Sequence, residues 1–139
     1  MKIITVSTLL ALTLLTACAS ARRADELNKQ ALARYATYSG EPVGQIHSYS
    51  HFDSWSPIDN EHVLIHTNVN QAYILTLAPP CIDLPFANHL AVKTRFPHQI
   101  DSGFDSIRVG RESCRILEIR PLDYKKMQAD LTAEKKARG

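Results

Sequence analysis

Between Pro42 and Pro121 the chain has no long apolar segment, only short runs of β-branched, aromatic and aliphatic residues fenced by turn chemistry. The runs are Val43 to Tyr49, His62 to Thr67, Ala72 to Leu77, Leu90 to Thr94, Ser106 to Val109 and Cys114 to Arg120. Between them lie Pro57-Ile58-Asp59-Asn60, Asn68-Val69-Asn70, Pro79-Pro80 and Gly110-Arg111-Glu112. Short runs separated by turn chemistry predict antiparallel β structure of about five or six strands, a sheet or small roll. His62–Thr67 and Ala72–Leu77 are separated by a tight Asn-bearing loop and read as a hairpin. In Ala72–Leu77 both alternating sets of side chains are largely apolar, which predicts a central strand covered on both faces.

Helical patterns flank this region. Leu27, Ala31, Tyr35 and Tyr38 recur at helical spacing within Ala24–Tyr38, with Asp25 and Glu26 in the expected first turn and Gly40 and Pro42 as stops. Pro121 is expected to close the last strand. Asp123 then caps a helix over Tyr124–Ala137, where Met127 and Leu131 form a narrow apolar stripe and the lysines face water. Ser102-Gly103-Phe104-Asp105 reads as a turn, with Gly103 at positive φ. The expected class is α+β: a small antiparallel sheet between an N-terminal and a C-terminal helix.

The first residues speak to destination. Lys2 precedes an uncharged apolar stretch, Ile3 to Leu15, too short for the roughly 20 residues that cross a bilayer. A positive start and a short apolar core form the pattern of an export signal. The stretch ends in Leu15-Thr16-Ala17-Cys18, which resembles the bacterial lipobox: a branched apolar residue, two small residues, then the cysteine that takes the lipid. The resemblance implies residues 1–17 as a lipoprotein signal peptide, Cys18 as the site of lipidation by diacylglycerol and palmitate-type chains, 18–23 as a lipidated tether, and 24–139 as one periplasmic domain. Arg22 and Arg23 would then lie near anionic headgroups. Ala19 in place of an Asp implies the outer membrane, facing the periplasm.

With Cys18 taken by lipid, Cys81 and Cys114 are left as one pair. In an oxidising compartment they are expected to form a disulfide, stabilising the fold by roughly 3–4 kcal/mol through loop closure. The 122 residues left after residue 17 suffice for one domain. Without Lys2 the charge balance is near neutral, which argues against a nucleic-acid partner.

Candidate chemistry is sparse. His47 and His51 are four apart, as are His62 and His66, with Asp53 and Asp59 nearby. In a strand four residues span about 13 Å, so a zinc or copper site would need His62 or His66 to meet an imidazole such as His47 from a neighbouring strand. The competing reading makes His62 and His66 the wet face of a strand whose Val63 and Ile65 point inward. Ser, His and Asp are present, but no G-x-S-x-G, H-E-x-x-H or phosphate loop is, so no catalytic residue is assigned. Trp55, the single tryptophan, is either a recognition anchor or a plug at one end of a β core.

Trp55 with Asp59, the run Ala72–Leu77 leading to Cys81, Leu84 and Ala87, then Gly103-Phe104-Asp105, Cys114-Arg115-Ile116 and Ile119–Asp123 together resemble an uncharacterised family of small proteobacterial lipoproteins, many of them xanthomonad-type. The resemblance brings no activity. The functional expectation is a lipid-anchored, non-enzymatic envelope protein that binds an envelope protein or polymer and needs no cofactor. The alternatives are a periplasmic metal-binding protein and an envelope hydrolase or hydrolase inhibitor.

Overall fold

The computed structural model describes the backbone of residues 2–47 and 52–139, and side chains from residue 20 onward outside the same gap. His51 and the end of the Val43–Tyr49 run lie outside the described residues. In chain order the elements are α1 (Lys2–Tyr38), β1 (Gln45–His47), β2 (Ser54–Pro57), β3 (His62–Asn68), β4 (Gln71–Leu77), a 3-10 turn (Leu84–Phe86), β5 (Ala91–Lys93), β6 (Gln99–Asp101), β7 (Ser106–Val109), β8 (Glu112–Leu122) and α2 (Tyr124–Arg138). The chain forms two units, Met1–Ala33 and Arg34–Gly139, and the second holds every strand, the core and α2.

The described residues of the first unit are helical throughout. The segment 18–23, expected as a tether, is helical backbone, and the helix expected to start at Ala24 begins at Lys2 instead. Asp25 and Glu26 are therefore mid-helix residues, and Asp25 pairs with Lys29 at 2.8 Å one turn on. Among the described residues no helix is long and apolar enough to cross a membrane.

In the second unit six strands form one antiparallel sheet in the order β2-β3-β4-β8-β7-β5. The β3–β4 hairpin forms as expected. Asn68 Oδ1 accepts from Asn70 N at 2.9 Å and its Nδ2 donates to Gln71, so the side chain closes the turn that its bulge sets up. β4 is central, and its two faces meet different layers. Leu75 and Leu77 join Val63, Ile65, Ile107, Ile116 and Ile119 in the main core, while Ala72 and Ile74 join Leu64, Leu122 and Met127 beneath α2. Asp123 caps α2 by accepting from Lys126 N at 3.0 Å, and Tyr38 donates to Asp130 at 2.8 Å, tying the end of α1 to α2.

Three expectations are corrected. The Val43–Tyr49 run does not add a strand to the large sheet: Val43 makes a single bridge to Ile119 of β8, and β1 pairs with β6 in a separate two-stranded sheet. β2 and β6 are strands that the apolar pattern did not predict. Pro121 lies inside β8 rather than ending it, because its carbonyl accepts from Gly40 N at 2.8 Å. Its nitrogen faces the same way, away from β4, so the missing N–H removes no ladder bond. Gly40 allows that approach, since a Cβ there would sit 3.1 Å from Pro121 Cγ.

Candidate functional site

Cys81 follows β4 and Cys114 lies near the start of β8, with Cα atoms 5.8 Å apart and a disulfide joining them. Both sulfurs are buried in the main core. Among the described residues the one metal-capable group with ligand atoms within 4.8 Å of one another is Cys81, Glu112 and Cys114, and its thiols are spent on each other.

Among the described residues the histidines are not gathered. β3 lies between β2 and β4, and neither strand carries a histidine that could join His62 or His66. His47 is on β1, in the other sheet. His62 Nδ1 donates to both oxygens of Asp59, at 2.9 and 3.0 Å, and a carboxylate can only accept, which fixes the proton on that nitrogen. Asp59 also accepts from Glu61 N and His62 N, so the pair organises the turn between β2 and β3.

Val63 and Ile65 point inward as expected, but the opposite face is not wet. His66 stacks edge-on against Tyr124 of α2 with ring centroids 4.5 Å apart. Burial there pushes its imidazole below the ordinary value, against the opposing charge of Asp53. Trp55 lies on β2, half-buried against the main core opposite Ile65, as a plug would. Cys18 belongs to α1, and its side chain lies outside the described residues.

Two features escaped the apolar pattern. Asp105 is 1% exposed, the one buried charged side chain among the described residues. Its carboxylate accepts from Asp101 N at 2.7 Å and Arg95 N at 3.1 Å, binding the strand end after β5 to the turn before β7. The second feature is the outer face of β5, β7 and β8. Their buried residues alternate with exposed ones, and register sets Lys93 beside Ser106 and Arg115, with Ala91 beside Arg108 and Ser113 in the adjacent row. Register across segments this far apart in sequence is invisible before folding, although the alternation within each is readable.

The sequence pattern of a family of unknown function, DUF6491, matches residues 1–138. The chain belongs to that family. No curated protein and no solved structure matches it. DUF6491 membership agrees with the uncharacterised family that the motifs pointed to, and it assigns no activity. In this DUF6491 chain several polar groups of types often recruited for catalysis have structural duties. Asp105 holds backbone amides, Asp59 holds a turn with His62, and His66 packs on Tyr124.

Proposed function

We propose that this protein is exported, cut before Cys18, acylated on that thiol and held at the outer membrane facing the periplasm, where its second unit works by contact rather than catalysis. The observation that carries the reading is the Cys81–Cys114 disulfide. A bond of this kind persists in oxidising compartments, and it leaves Cys18 as the odd cysteine, placed directly after an apolar export-type run. A triacylated cysteine buries several chains at about 0.8 kcal/mol per methylene, so the anchor would be effectively permanent. The contact reading is supported by the structural duties of Asp59, His62 and Asp105, and by cations on the sheet's outer face that make no ion pair among the described residues.

Intact mass of the protein from a membrane fraction tests the proposal. A species lacking residues 1–17, heavier than the peptide by diacylglycerol and one acyl chain and shifted to an unlipidated form by Cys18→Ala, is expected. A native N-terminus with a free thiol at position 18, or two free sulfhydryls at 81 and 114, would overturn it.

A further inference from the structure

Four cations stand on one side of a three-stranded patch. Lys93 is on β5, Arg95 follows it two residues on, Arg108 is on β7 and Arg115 on β8. At strand spacings of about 4.8 Å and a rise of about 3.3 Å per residue, the group covers roughly 10 by 13 Å. Ala91, Ser106 and Ser113 fill the intervening places; Glu118, the acid on the outward side of β8, lies beyond the bulge and pairs with Arg120 at 2.6 Å, and Glu112 is turned to the other side, accepting from Asp83 N. Among the described residues none of the four cations makes an ion pair. Like charges so close repel one another.

Apolar side chains adjoin the charges. The ladder runs past β7, with Ile116 N donating to Asp105 O at 2.9 Å, and this sets Phe104 beside the β8 bulge that carries Leu117. Phe104 is 68% exposed and Leu117 49%. The Arg95 guanidinium lies 4.1 Å from the Phe104 ring centroid, and the carboxylate of Asp105, next to Phe104 in the chain, holds the Arg95 amide. Phe96, beside Arg95, is 56% exposed.

We infer that this face docks flat on an anionic phospholipid surface, its cations among headgroup phosphates and Phe104, Phe96 and Leu117 at the interface. A free phosphate or a soluble polyanion would satisfy the charges but leave three large apolar side chains in water. A bilayer surface meets both, since aromatic rings favour the headgroup level and each basic residue near it favours association about fivefold.

The inference rests on the membrane placement proposed above, and a footprint separates the two. The full chain and its Cys18→Ala variant are each incubated with vesicles, so that the footprint is read with and without the acylation site. Arginine modification by phenylglyoxal is compared between phosphatidylcholine vesicles and vesicles containing phosphatidylglycerol, with Arg138 as internal reference. Modification of Arg95, Arg108 and Arg115 is expected to slow several-fold on the anionic vesicles and to recover in about 0.5 M salt, where screening shortens to a few ångströms. The double variant Arg108→Glu with Arg115→Glu, at exposed positions with no ion pair to lose among the described residues, is expected to abolish the protection at Arg95. Equal rates on both vesicles would overturn the inference. So would protection that survives in the double variant, or protection reproduced by inorganic phosphate alone.

Discussion

Removing the Asp105 carboxylate is the sharpest test of how the β5–β7 end is held. Asp105→Ala deletes the acceptor for two backbone amides, Asp101 N at 2.7 Å and Arg95 N at 3.1 Å, in a side chain that is 1% exposed. A hydrogen bond to a charged group contributes about 1.5–3 kcal/mol, while deleting the charge also relieves its own desolvation, so the net loss is about 2–4 kcal/mol. Asp105→Asn keeps one acceptor oxygen but turns an NH2 toward one of the donors, and is expected to cost about half as much. Urea unfolding with the disulfide intact reads the global change, and amide hydrogen exchange at Arg95 and Asp101 reads the local one. The exchange matters because a general loss of packing would not single out those two amides. Asp105→Ala unfolding within about 0.5 kcal/mol of the parent, with both amides still protected, would refute the assignment.

Three further outcomes follow from the packing. Converting Cys81 and Cys114 together to serine is expected to cost roughly 3–4 kcal/mol in denaturant unfolding, and reductant is expected to destabilise the parent but not the variant. Met127→Ala, beneath α2 in the smaller core, is expected to cost about 2–5 kcal/mol by the same assay, whereas an exposed neighbour such as Gln128→Ala should fall within about 0.5 kcal/mol. Burial lowers the His66 imidazole below its ordinary value of 6.5, so as pH falls through 6.5 the unfolded chain takes the proton first. Stability at this position is complete above that value and declines below it, levelling off only under the depressed folded value. His66→Phe, which keeps a ring against Tyr124, should flatten that part of the stability–pH curve relative to the parent.

Much of the fold was legible because its determinants are local. The β3–β4 hairpin is written in two apolar runs and an Asn-bearing turn, the central place of β4 in its two apolar faces, and α2 in the Asp123 cap with Met127 and Leu131. β2 and β6 were not legible. Ser54-Trp55-Ser56-Pro57 and Gln99-Ile100-Asp101 each bring one large apolar side chain among polar neighbours, and they are strands because β3 and β1 supply partners. Pro121 misled for a related reason: whether a proline ends a strand depends on which side its nitrogen faces, and that is fixed by the distant Gly40. The histidine spacing was readable, but the partners that decide its meaning, Asp59 and Tyr124, are set by a turn and by helix packing. The basic face needed the register of three segments, which no single window of sequence contains.

The Cys81–Cys114 bond encloses β5, β6 and β7 in a covalent ring. Lys93, Arg95, Arg108 and Arg111, the peptide bonds a trypsin-like protease prefers, all fall inside that ring. A single nick at any of them opens the loop without releasing a fragment, so the two pieces stay joined and migrate as one molecule until a reductant parts them.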